Sequence, residues 1–213
     1  MPIDDYSIEA SKKLGEVKEH YETYDYRHAV AVLTIDYPKL LIEICDVLLQ
    51  FKVSIEQIKK AGGNESDIPK TFSKMLRPLG WKEEKFVAKF VIEDQTVSSD
   101  THKIDYVKGE VAFDLEWNSK DQTFDRDLYA FRAFFEYGKI GVALLVTRSD
   151  SLDHIFRELG TYIDPKTQER KTYLSKYGAS TTHFGKLLPR LKAGRSGGCP
   201  VLAVGITRKQ VTE

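Results

Sequence analysis

Residues 140–146, I-G-V-A-L-L-V, carry no charged or hydrogen-bonding side chain. A strand that is apolar on both faces must be covered on both faces, as in sheets with helices packed above and below. The flanking sequence supplies that cover. Upstream, Phe124, Leu128, Phe131 and Phe135 share one face of an amphipathic helix expected over residues 124–137. Asp125 and Asp127 suit the first turn of that helix, and Gly138 can cap its end. Downstream, Ser149 or Asp150 can cap a second helix that turns Leu152, Ile155, Phe156 and Leu159 inward before Gly160. A short helix over 182–191 and a buried strand over 200–206 follow. The expected fold class is α/β, a central mixed β-sheet flanked by helices, in one domain spanning residues 1–213.

The remaining segments read less sharply. Residues 28–35, H-A-V-A-V-L-T-I, have the composition of a strand, and Pro38 then opens a helix carrying Leu41, Ile44, Cys45 and Leu48 at helical spacing. Residues 61–67, A-G-G-N-E-S-D, read as a loop, and 69–79 as a short helix ended by Gly80. Strands are expected over 86–92 and 104–117, the latter bent near Gly109. The polar stretch 164–176 is expected to be an exposed loop.

A hydrophobic fraction of 41 % supports a sizeable core. No apolar run approaches the roughly 20 residues a membrane helix needs. No signal-like segment opens the chain, so a cytoplasmic location without a membrane partner is expected. Cys45 and Cys199, far apart in apolar surroundings, read as reduced core residues.

The chemistry concentrates in residues 104–118, I-D-Y-V-K-G-E-V-A-F-D-L-E-W-N. Asp114 and Glu116 alternate across Leu115, so in a strand they point to one face. Asp105 lies nine positions upstream of Asp114 with Gly109 between, so a bend can bring its carboxylate alongside. Three converging carboxylates repel one another unless a cation sits among them, and hard oxygen ligands suit Mg²⁺. A half-buried strand with a solvated acidic face accounts for the same alternation. Other features of the chain decide between them.

Net charge is zero, with 32 basic and 32 acidic residues, which taken alone argues against nucleic acid. The distribution differs. Between Lys166 and Arg195 stand eight basic residues and one acidic residue, Glu169. Screening confines charge effects to about 10 Å at 0.1 M salt, so a local basic surface can hold phosphates at neutral pI. A solvated basic face with no ligand is the alternative.

The 104–118 stretch resembles the BglII/BstYI-type restriction endonucleases of the PD-(D/E)XK nuclease superfamily. The pattern there is an Asp, an acidic residue nine positions on, a spacer, then Gln or Glu, which here is Asp105, Asp114, Leu115 and Glu116. The likeness continues through W-N-S-K-D-Q-T-F-D-R-D-L-Y-A-F-R-A-F-F-E (117–136), Y-G-A-S-T-T-H-F-G-K-L-L-P-R (177–190) and G-G-C-P-V-L-A-V-G-I (197–206). It covers roughly residues 28–207 and includes, ahead of the acidic stretch, T-F-S-K-M-L-R-P-L-G-W-K-E (71–83), which is similar to the family's helix-to-strand approach to the site. The resemblance implies a restriction-endonuclease-like fold. It also implies a homodimer that cuts double-stranded DNA at a short palindrome with Mg²⁺, leaving 5′-phosphate and 3′-hydroxyl ends. Asp105 and Asp114 are then direct metal ligands, with the Leu115 carbonyl a third. Glu116 stands where many members have Lys; it can accept a proton from the attacking water or hold a second metal.

Lys120 and Arg126 follow the acidic strand closely enough to hold a phosphate. Ser180, Thr181, Thr182 and His183 are small polar candidates for base edges or phosphates, against the alternative of ordinary helix caps. Arg190, Lys192 and Arg195 are candidates for the DNA backbone. A structure-specific or repair endonuclease of the same superfamily, and a DNA-binding protein without catalysis, are the other two functions weighed.

Overall fold

The computed structural model of the chain describes residues 5–60, 67–100 and 102–213. The expected loop at 61–67 lies, but for Asp67, outside the described residues. The N-terminal third is helical: α1 (Asp5–His20), α2 (Ala29–Ile35) and α3 (Pro38–Gln50), with strand β1 (Tyr21–Tyr26) between α1 and α2. A short β2 (Val53–Ser54) leads into α4 (Ile55–Lys59), whose capping box is closed by Ser54 and Gln57. Next come α5 (Asp67–Leu76), β3 (Lys82–Glu84), a hairpin of β4 (Val87–Ile92) and β5 (Gln95–Asp100), and a second hairpin of β6 (Ile104–Lys108) and β7 (Val111–Glu116). Then follow α6 (Thr123–Glu136), β8 (Val142–Arg148), α7 (Asp153–Glu158), β9 (Thr161–Ile163), β10 (Arg170–Thr172), α8 (Tyr173–Lys176), α9 (Phe184–Lys192), β11 (Val201–Ile206) and β12 (Val211–Thr212).

Six strands form the central sheet in the order β1-β11-β8-β7-β6-β3. β8 lies parallel to both β7 and β11, and the outer pairings are antiparallel. Each central strand divides its residues between two cores. Phe113, Leu115, Leu144, Val146, Leu202 and Val204 join the core beneath α1, α3 and α5; Ala112, Ala143, Leu145, Val201 and Ala203 join the core beneath α6 and α9. The seven residues of β8 are all buried, as its composition requires. The α/β class, the mixed sheet and its flanking helices therefore follow the sequence reading.

Three segments differ from expectation. Residues 28–35 are not a strand: Ala29–Ile35 is helical. Arg27 and His28 both adopt left-handed φ values, 52° and 59°, which break the extended chain after β1. β1 has already taken the place beside β11, and α2 buries Ala29 and Leu33 instead. A short apolar run fits a helix as well as a strand, and here packing decides. Residues 164–176 are not simply loop. β10 pairs with β9, Thr172 caps α8, and Tyr173 is buried. The strand expected over 86–92 does form, but it pairs with β5 outside the central sheet.

Candidate active site

The β6–β7 hairpin turns at Gly109, whose φ of 56° is a left-handed conformation that glycine adopts freely. Tyr106 pairs with Phe113 and Lys108 with Val111. One step further along the hairpin, the backbone N–H of Asp105 donates to Asp114 Oδ1 at 2.7 Å. The nine-residue spacing thus becomes direct proximity.

β7 sends Phe113 and Leu115, and the residue after it, Trp117, into the α1/α3 core. Its opposite face begins with Ala112, against the α6/α9 core, and continues as Asp114 and Glu116. The apolar face therefore becomes acidic at the C-terminal end of a central strand. Neither acidic side chain is solvated: Asp114 is 3 % and Glu116 8 % exposed, whereas Asp105 is exposed. This excludes the alternative of a wet acidic face on β7.

A fourth carboxylate comes from α6. Asp127 is 2 % exposed. Its Oδ1 accepts from Nε and Nη2 of Arg126 at 3.1 and 3.0 Å, and the same Nη2 lies 3.4 Å from Glu116 Oε1. The sequence reading placed Asp127 among the favourable acids of a first helical turn. The signal it passed over was spacing, since Asp127 follows Phe124 and precedes Leu128 and Phe131 on a face that packs inward.

Burial, then Asp127, then Asp105 push the Asp114 carboxyl well above the ordinary range. Burial raises Glu116 too, opposed by a hydrogen bond from Ser119 and by Arg126. Burial and Glu116 raise Asp127 to about 8. Asp114 Oδ2 and Asp127 Oδ2 are buried with no hydrogen-bond partner among the described residues. Buried polar atoms are almost always paired, so these two mark a place that lacks a positive partner. Among the described residues no three His, Cys, Asp or Glu side chains stand close enough to hold a metal as they are. The donor set nevertheless fits a hard divalent cation, being all oxygen and incompletely satisfied, and a cation would favour the ionised carboxylates that burial disfavours.

The candidate DNA-contacting residues are arranged differently. Lys120 is exposed and forms an isolated bridge with Thr181. Thr182 N donates to Ser119 O at 2.8 Å and Asp121 N to Ser180 O at 3.0 Å, so the segment 180–183 is stitched to the loop leaving β7. Ser180 is exposed, whereas Thr182 is fully buried and its Oγ1 has no hydrogen-bond partner among the described residues. Thr181 Oγ1 accepts from Arg148 Nη2 at 2.9 Å and donates to the Gly178 carbonyl at 2.8 Å. His183 precedes α9 without capping it through its side chain, and its Nδ1 sits against Asp150. Burial lowers the His183 pKa against the pull of Asp150.

Arg190 donates to Asp125 at 3.1 Å, to Asp121 at 3.3 Å and to the Lys186 carbonyl at 2.8 Å. Arg195 also pairs with Asp125. Lys192 is exposed, with its ammonium 5.7 Å from the Tyr24 ring centre. The basic stretch is thus not one free cationic face: two of its arginines are engaged by the start of α6.

No helix among the described residues is long and apolar enough to cross a membrane. No individually curated protein matches the chain. The family model for restriction endonuclease BglII/BglIII matches residues 21–206, from the first residue of β1 to the last of β11. Acidic convergence on a central-sheet hairpin and that match over nearly the whole fold lead to one conclusion: the chain belongs to the BglII/BglIII family of type II restriction endonucleases, site-specific deoxyribonucleases.

Proposed function

We propose that this chain is a homodimeric, Mg²⁺-dependent nuclease that cuts both strands of a short palindromic DNA site, leaving 5′-phosphate and 3′-hydroxyl ends. The observation that carries the reading is one hairpin that sets the exposed Asp105 beside the buried Asp114 and Glu116, with Asp114 Oδ2 unpaired among the described residues. Asp105 and Asp114 would hold Mg²⁺, with the Leu115 carbonyl beside them. The ion supplies an acidified water and neutralises charge at phosphorus. Glu116 would take the proton of the attacking water, a role that its raised pKa supports, since burial makes it a stronger base than a solvated carboxylate. Lys120 and Arg126 would hold the phosphate that is cut or its neighbour.

Ser180, Thr181, Thr182 and His183 are the proposed readers of base edges, and Arg190, Lys192 and Arg195 the proposed backbone contacts. Arg190 and Arg195 must then exchange Asp121 and Asp125 for phosphates, and Thr182 can reach a groove only if its segment opens. A two-fold site calls for a two-fold protein with one active site per strand. Incubation with phage DNA and Mg²⁺, followed by sequencing of the fragment ends, tests the reading. Discrete fragments with one end sequence support it. Preference for branched substrates, or retardation without cutting, would replace it with a structure-specific nuclease or a non-catalytic binder.

A further inference from the structure

Asp127 is out of character for the helix face it occupies. Phe124, Leu128 and Phe131 of α6 are fully buried in the core beneath that helix, and Asp127 is buried with them at 2 % exposure. Its one satisfied oxygen takes two hydrogen bonds from the adjacent residue, Arg126. Consecutive residues on a helix do not face each other, so this is no routine surface pair. Arg132 and Glu136 show the routine kind on the same helix, four residues apart and both half-exposed. To reach Asp127, Arg126 folds back toward the sheet, where its Nη2 also meets Glu116. Two donors of a planar guanidinium on one oxygen fix its orientation as well as its position. The Arg126 side chain remains 46 % exposed, so its outer edge is open to a substrate.

We propose that Asp127 is a positioning residue of the cleavage site: it locks Arg126 beside Glu116, where the guanidinium meets the negative charge that develops on the phosphate being cut. Arg126 is then the catalytic member of the pair, and Asp127 acts through it. A charge fixed before the reaction stabilises a transition state without reorganising, and this explains why a carboxylate is kept in an apolar layer. The inference rests on the nuclease reading of Asp105, Asp114 and Glu116.

Single-turnover cleavage with Mg²⁺, together with calorimetric titration of Ca²⁺ into the full chain, tests it. Arg126→Ala should lower the cleavage rate on the order of 100-fold, as loss of a preorganised donor does. It should also tighten Ca²⁺ binding, because a positive charge leaves the carboxylate cluster. Arg126→Lys should fall between, keeping the charge without the two-donor contact. Asp127→Asn should slow cleavage in the native background and cost nothing further in the Arg126→Ala background. If Asp127→Asn does not fold, Asp127→Glu, which keeps the acceptor but displaces it, serves with the same expectation. Equal cost in both backgrounds, or unchanged or weakened Ca²⁺ binding in Arg126→Ala, overturns the proposal. A native chain that cuts while Arg126→Ala cuts equally well removes this inference alone. A native chain that binds Ca²⁺ but cuts no DNA removes the nuclease reading beneath it.

Discussion

The carboxylate hairpin and the 180–195 segment are linked through the loop that leaves β7, which the segment meets by backbone hydrogen bonds, yet their charges are balanced in opposite ways. Around Asp114, three nearly buried acids stand with one guanidinium, which pairs with Glu116 and Asp127, and two of their oxygens have no hydrogen-bond partner among the described residues. Around Arg190, two arginines meet Asp121 and Asp125. The first region has an electrostatic deficit that a cation would relieve. The second is already neutralised by the protein itself, so binding a phosphate there is an exchange of partners rather than a new attraction. A cluster that lacks its counter-charge points to an absent ligand more strongly than one that has it.

The largest test removes the deficit. Asp114→Ala should reduce cleavage by on the order of 10³-fold or more, the scale of several kcal/mol of lost charge stabilisation at the phosphate. Specific DNA binding, measured with Ca²⁺, should remain, because the variant leaves the 180–195 segment intact. Cleavage at the native rate would dismiss the hairpin as the site.

Next in size is the effect of pH on the metal-free protein. Asp114, Glu116 and Asp127 have raised pKa values when folded, Asp127 to about 8. The unfolded chain therefore ionises them first, near pH 4. Between pH 4 and 8 the unfolded state binds fewer protons than the folded state, so this contribution lowers stability as pH rises. Thermal unfolding in EDTA should shift downward across that window, by about 2–4 °C for each kcal/mol lost in a chain of this size. Mg²⁺ or Ca²⁺ should offset the loss, increasingly so toward pH 8. Asp114→Ala should flatten the profile. An unchanged profile in that variant would show that the deficit carries no energetic weight.

Specificity should respond to the other region. Thr182→Ala and His183→Ala should each reduce preference for the correct site over single-base variants by roughly 5- to 150-fold, the scale of one good base contact. Competition binding in Ca²⁺ on cognate and mismatched duplexes measures this. Because Thr182 is buried, equal losses on both duplexes would assign it to supporting the segment rather than reading bases.

The contrast between the two regions also marks what the sequence could disclose. Period-two alternation put Asp114 and Glu116 on one face of β7, and the nine-residue hairpin spacing brought Asp105 to them; both are local geometry. The apolar runs at β8 and β11 similarly announced the buried sheet. Asp127 was not legible as a site residue because the face on which α6 meets the sheet is a tertiary fact, and an acid in a first helical turn has an ordinary explanation. The pairing of Arg190 and Arg195 with α6 escaped for the same reason: a count of charges along 166–195 cannot see acids brought in from 121 and 125. The 28–35 run failed differently, since β1 had already taken the edge of the sheet.

The smallest prediction tests the exchange directly. Asp125 accepts from both Arg190 and Arg195, so Asp125→Ala should leave each arginine with fewer protein partners. If those arginines contact phosphates by exchange, the variant removes a competitor and binding should tighten on cognate and non-cognate DNA alike. Each additional phosphate neutralised should steepen the slope of log affinity against log salt by about 0.9, so a change of about one to two units is expected. Cleavage per bound complex should hardly change, because the hairpin carboxylates are untouched. Arg190→Ala should move the slope by about one unit in the opposite direction. A slope that moves in neither variant would make the arginine–aspartate cluster a structural clasp between α6 and α9, and phosphate binding would have to come from Lys120, Lys192 and the remaining exposed lysines.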